Sequence, residues 1–143
     1  MELSNTWFKG TGSPNGIKTI IKVRQKLKKA FDADIYKNRI EINWPYEGNE
    51  YGLPHSNLLE EIYQTESSLY AIEKEEHSIH TVTLIGNNCA TWIWYSKNET
   101  LFMDSLHTAL LNSEKRPLEI YYEFDSEWEH YFDVLEKCGL KID

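Results

Sequence analysis

Residues 78–96 read SIHTVTLIGNNCATWIWYS, and the way this stretch divides decides the fold. Two runs rich in β-branched and aromatic residues, SIHTVTLIG and CATWIWYS, flank Asn87 and Asn88. Asparagine tolerates the positive φ that both central positions of a two-residue hairpin turn require, so the runs are expected to pair as antiparallel neighbours. Adjacent strand residues face opposite sides of a sheet. Trp92, Ile93, Trp94 and Tyr95 are apolar on both sides, so both faces of this strand need cover. One face is expected to pack on helices. The other is covered either by a C-terminal helix carrying Trp128, Tyr131, Phe132 and Leu135 or by N-terminal strands. Failing that, Trp92 and Trp94 stand open as rigid anchors for a partner.

Outward from the hairpin the periodicity changes. Downstream, Phe102, Leu106, Ala109 and Leu110 recur at helical spacing, with Asn98 as a cap, and define a helix over about 99–112. Pro117 then opens LEIYYEF, which alternates Leu118, Ile120, Tyr122 and Phe124 against Glu119, Tyr121 and Glu123. Upstream, Leu58, Ile62, Leu69 and Ile72 mark a helix capped by Ser56 and running to about residue 75. Before it, Ile40, Ile42 and Trp44 alternate with Glu41 and Asn43 in a half-buried strand over 39–44. The order strand, helix, strand, strand, helix, strand predicts an α+β fold: a ferredoxin-like βαββαβ sandwich, an antiparallel sheet with two helices on one face. Right-handed crossovers place the strands opened by Arg39 and Ile79 on parallel tracks with another between them. Additions flank this core. Short strands are expected over 6–9 and 17–23 around GTGSPNG, with helix or loop over 25–34. A last helix is expected from about Ser126 to Lys137, stopped by Gly139. The chain thus divides as a single domain, with an N-terminal segment (1–38), a core (39–124) and a C-terminal helix (125–143).

At 143 residues, 41% hydrophobic and 27% charged, the composition is that of a folded, soluble domain. No apolar run approaches a membrane span, and MELSNTWFKGTG lacks an export signal, so a cytoplasmic location is expected. Cys89 and Cys138 have no CxxC partner and suit small buried or half-buried thiols. The net charge of −8 is uneven. Residues 1–38 carry eight Lys or Arg against three acids, whereas 39–143 carry seven against twenty. Such an acidic body repels nucleic acid and anionic membrane and steers a basic protein toward itself.

No catalytic constellation is visible. HExxH, a phosphate-cradling glycine loop and a GxSxG elbow are all missing. His77 and His80 lie three apart where strand geometry points them to opposite faces, which suits a solvated bend better than a metal pair. Nothing local activates Cys89. No catalytic, cofactor or metal role is therefore assigned, and a non-enzymatic protein is expected. An RNA-binding alternative would use the aromatic sheet face for base stacking and the basic Lys18–Lys29 segment for phosphates. However, CATWIWYS is not the aromatic signature of such modules, and the surrounding charge is acidic.

Several motifs together carry a family likeness: WPYEG, then GLP opening a helix that bears Glu66, then LIGNNCATWIWYS, then PLEIYYEFDSEW. The chain resembles the bacterial family recorded as domain of unknown function six-nine-five, from about Trp44 to Trp128. Trp92-Ile93-Trp94-Tyr95 and Asp125-Ser126-Glu127-Trp128 match its aromatic strand and its D-P-E-W ending, with Ser126 in place of proline. Cys89-Ala90-Thr91 stands where that family has a basic residue. The resemblance implies a distant similarity to the regulator that inhibits ribonuclease E, and a role as a protein-binding regulator or immunity protein. Charge and likeness together lead to one expectation: a non-catalytic immunity or inhibitor protein that neutralises a basic partner, such as a nuclease toxin. The contacts expected are Glu47, Glu50 and Tyr51 in the loop NWPYEGNEYGLP (43–54), Glu119, Tyr121, Glu123, Asp125 and Glu127 around the last strand, and Trp92 and Trp94. Within that loop, Tyr46–Tyr51 has no evident structural task.

Overall fold

The computed structural model describes residues 4–12, 18–27 and 35–140. Strands β1 (Trp7–Gly12) and β2 (Thr19–Arg24) form an antiparallel pair. Strand β3 (Asn38–Pro45) leads through a loop into helix α1 (Ser56–Leu69), which tightens into a 3₁₀ helix over Tyr70–Glu75. Strands β4 (Ser78–Gly86) and β5 (Cys89–Ser96), helix α2 (Glu99–Ala109), strand β6 (Glu119–Phe124) and helix α3 (Glu129–Lys137) follow. One six-stranded sheet runs β1-β2-β4-β5-β3-β6, with every neighbouring pair antiparallel. The sheet therefore has six strands, not four, because the N-terminal strands extend it beyond β4. β3 and β4 run parallel to one another on either side of β5.

The hairpin forms as its turn chemistry dictates. Asn87 and Asn88 hold φ of 53° and 63°, and Gly86 pairs with Cys89. Each face of the sheet carries its own core. On one side Ile40, Ile42, Trp92 and Trp94 pack against Ile62 and Leu69 of α1 and Phe102 and Leu106 of α2. On the other, Val23, Ile79, Val82, Ile93 and Tyr95 pack against Trp128, Tyr131 and Leu135. The Tyr95 and Trp128 rings stack with centroids 4.4 Å apart. The C-terminal helix is thus the cover that β5 requires.

The ends of elements depart from expectation in instructive ways. His55, not Ser56, caps α1: its Nδ1 accepts the Leu58 amide at 3.2 Å. Helix α3 begins three residues later than expected, because Trp128 takes a left-handed φ of 56° and Asp125 accepts the amides of Glu129 and His130. This satisfies amides that a helix start leaves without intrahelical partners. Gly139, at φ 70°, closes the helix as expected. Of the expected 25–34 segment, residues 28–34 lie outside the described residues, and 25–27 are irregular.

Candidate functional site

Strand β6 is an outer strand of the sheet among the described residues, and its burial is unusual for its composition. Tyr121 is 54% and Phe124 68% exposed, and Tyr122 is exposed beside them. Register with β3 sets Glu119, Tyr121 and Glu123 opposite Asn43, Glu41 and Arg39 on one face, and Ile120, Tyr122 and Phe124 opposite Ile42, Ile40 and Asn38 on the other. The expected alternation holds. Glu119, Tyr121 and Glu123 therefore gather on one exposed strip, with Glu127 exposed just beyond. Glu123 is ion-paired to Arg39. Asp125 has a structural task instead: it caps α3 and accepts the Tyr95 hydroxyl at 2.6 Å.

Glu47, Glu50 and Tyr51 lie elsewhere, and their loop is built rather than loose. Tyr46 donates its amide to Asn88 O, and its hydroxyl to Gly52 O at 2.7 Å. The Gly48 amide donates to Asn88 Oδ1 at 3.0 Å, the Asn88 amide to Gly52 O, and Asn49 Oδ1 accepts from Tyr51 and Leu53. The segment 46–51 therefore has a structural task after all: it buttresses the β4–β5 turn. The side chains of Glu47, Glu50 and Tyr51 remain exposed, with the Lys18 ammonium 4.8 Å from the Tyr51 ring centroid.

Trp92 and Trp94 are both 0% exposed and offer nothing to a partner. They share the face covered by α1 and α2, where Trp94 contacts Phe102 and stacks on His80. The open aromatic face that an RNA-binding module needs is therefore not formed by these residues.

Beneath α1 lies a buried polar cluster. Glu66 Oε1 accepts from Lys22 Nζ at 2.7 Å and Tyr70 OH at 2.9 Å, while Oε2 accepts from Thr83 Oγ1 and Trp92 Nε1, both at 2.9 Å. Burial alone would push this carboxyl up, but the charges of His80 and Lys22 and the Lys22 and Thr83 bonds outweigh it and hold it at about 2. His80 Nε2 is 3.0 Å from Thr83 Oγ1 and 3.1 Å from Val82 O. The Thr83 hydroxyl donates to Glu66, so the proton is on Nε2, and Nδ1 is buried without a partner among the described residues. Burial holds His80 down at about 4 despite the nearby Glu66 carboxylate, so the ring is neutral at pH 7. A β-bulge between His80 and Val82 makes the cluster possible. The extra residue, Thr81, lets His80 and Thr83 share one face although they are three apart.

Alongside, Arg24 pairs with Glu73 and donates to His80 O at 3.1 Å and Ser4 O at 2.6 Å, while Glu73 also accepts the His80 amide. These bonds tie β2 to β4 and to the 3₁₀ helix. With both Glu66 oxygens doubly occupied, the carboxylate has no lone pair left for proton transfer. The cluster cross-links β2, β4, β5 and α1.

A model of a family of unknown function, DUF695, matches residues 5–136. The chain belongs to the DUF695 family. No curated protein and no solved structure matches it.

In this DUF695 chain the two thiols and the other buried histidine are set by burial and local bonds. Burial pushes the thiols of Cys89 and Cys138 up, and both are free. Cys89 Sγ lies 3.8 Å from Asn43 Oδ1 and 3.7 Å from Thr91 Oγ1. His77 is buried and bonded to Ser78 and Ser105, so neither it nor His80 forms a solvated bend. No group of three or more metal-ligating side chains occurs among the described residues, nor does a helix long and apolar enough to cross a membrane. The buried cluster escaped sequence reasoning, but one signal was available. Glu66 lies four residues after Ile62 and three before Leu69, within the apolar stripe of α1, where a charge must find buried partners.

Proposed function

We propose that the protein is a non-catalytic binding module that captures a basic protein by pairing an extended segment of it along β6. The observation that carries this is the edge strand itself. Soluble proteins blunt such edges with charged side chains, proline or short length; β6 carries the charges of Glu119 and Glu123 but presents Tyr121, Tyr122 and Phe124 to solvent as well. Strand addition would give affinity through the backbone, and the aromatic rings would anchor alternate side chains of the incoming segment. The carboxylates would select lysine or arginine and speed the encounter. A second copy of this chain is a poor occupant: in the antiparallel register that sets Tyr121 on its mate, Glu119 faces Glu123 and like charges oppose.

In its most concrete form the role is that of an immunity protein or inhibitor, with a nuclease toxin as the basic partner. The acidic body would stand in for the phosphates such a partner binds. We read the β3–β6 portion as a ferredoxin-like unit carrying this edge, and the β1–β2 hairpin as an extension on the far side. The test is affinity capture of basic proteins encoded beside this chain, comparing the wild type with Glu119→Lys, Phe124→Ser and the loop variant Glu47→Lys/Glu50→Lys. Loss of capture in the two β6 variants is the expected result. Unchanged capture in both would remove β6 from the interface.

A further inference from the structure

At the opposite edge of the sheet from β6, a cleft of about 360 Å³ opens between the β1–β2 pair and the flank of α1. Its lining includes Lys9, Lys22, Ile20, Ile85, Tyr63 and Tyr70, and its size falls within the roughly 300–1,000 Å³ of small-molecule sites. A second cleft of about 520 Å³ shares Lys9, Lys22 and Tyr70 and continues past Trp7 and Arg24. The two clefts meet at the lysines.

Three observations make this more than a surface irregularity. First, Lys9 and Lys22 are direct cross-strand partners, so two ammonium groups share one face. Like charges so placed disfavour pairing, and Glu66, which also lines the cleft, is ion-paired to Lys22 alone, so the Lys9 charge is left over. Second, the positions of the two lysines differ in kind. Lys22 is fixed by Glu66 and Tyr70 and lies 4.5 Å from the Trp7 ring centroid, while Lys9 is exposed and has no ion-pair partner among the described residues. Glu66 is saturated by four donors, so it holds the Lys22 ammonium in place while having no lone pair free for a ligand. Third, Tyr63 and Tyr70 are exposed. They lie seven residues apart on one flank, where two turns of helix align them, and they face an aliphatic wall.

We propose that this cleft binds a small organic anion, its carboxylate or phosphate held between Lys9 and Lys22 and its planar ring laid against Tyr63 and Tyr70. The fixed ammonium of Lys22 supplies a positioned donor, and Lys9 closes on the anion from the solvent side. The site operates independently of the edge proposed for protein capture.

The experiment is calorimetric titration of the full chain with adenosine 5′-monophosphate, 4-hydroxyphenylacetate and inorganic phosphate, repeated on Lys9→Gln and Tyr63→Ala. Both positions are at the surface, so the variants keep the wild-type thermal midpoint. Saturable binding of one or both aromatic anions is expected, weakened about tenfold in each variant, as loss of a charge-assisted bond or of an aromatic contact requires. Which of the two binds distinguishes a nucleotide from an aromatic acid. The proposal is overturned if neither aromatic anion binds, if both variants bind like the wild type, or if phosphate alone binds as tightly as the aromatic anions.

Discussion

Glu66 shows how much one side chain decides here. Replacing it with glutamine leaves the half-buried Lys22 ammonium beside a neutral group and supplies a donor where four donors already converge. Breaking one partner of a buried ion pair costs about 3–5 kcal/mol, so Glu66→Gln is expected to lower the unfolding free energy by that order in urea denaturation. A loss under 1 kcal/mol, within the usual range for exposed pairs, would show that the cluster is not buried in solution. The same cluster sets a pH response. His80 is held at about 4 against an ordinary 6.5, so between those values the unfolded chain takes up a proton that the native state does not. Stability therefore falls as pH drops from 6.5 toward 4, by on the order of 3 kcal/mol for this residue at 1.36 kcal/mol per unit. Burial lowers His77 and His130 as well, in the same direction. Glu66, held at about 2 against 4.5, adds a further loss as pH falls from 4.5 toward 2. Urea midpoints that stay level from pH 7 to 4 would contradict this. At the residue scale little of the cluster was legible beforehand, since its partners come from β2, β4, β5 and α1. Their convergence also depends on a bulge that no local pattern announces.

Among the elements, those specified by local chemistry were mostly legible, the α1 cap at His55 in place of Ser56 excepted, and those specified by distant partners were not. The Asn87-Asn88 turn and the Asn98 cap formed as read, because each needs only its own neighbours. The start of α3 was misplaced because it depends on Asp125 reaching forward across a left-handed Trp128. Asp125→Ala is expected to cost about 1–2 kcal/mol for the cap alone, and more because Tyr95 OH loses its partner. A thermal melt unchanged from wild type would exclude that cap. The 46–51 segment had no visible task because its bonds run to Asn88, some forty residues away. A Cβ on Gly48 would lie 2.8 Å from the Gly52 carbonyl carbon, and one on Gly52, at φ 77°, would lie 3.1 Å from Asn87 Cα. Gly48→Ala and Gly52→Ala are therefore expected to destabilise by about 1–3 kcal/mol each. Glu47→Lys and Glu50→Lys should change stability by no more than about 0.5 kcal/mol. Equal effects from the two pairs in chemical denaturation would mean that the loop is not seated on the hairpin.

Across the whole molecule, the two apolar sides of Trp92–Tyr95 demanded two layers of cover, and the structure supplies α1 and α2 on one face and α3 on the other. That demand was legible in the alternation of one strand. Which tryptophans remained open was not, because it depends on where the helices come to rest. Of the contacts expected of a binding surface, Trp92 and Trp94 drop out because they belong to the core, whereas those along β6 stay exposed, with the rings of Tyr121, Tyr122 and Phe124 open on that strand. The most direct measurement is hydrogen–deuterium exchange of the chain alone and bound to the basic protein it captures. The expected result is slowed exchange across residues 119–124 on binding, with the β1–β2 edge unchanged. Protection confined to other segments, with 119–124 exchanging as in the free chain, would contradict capture through this strand.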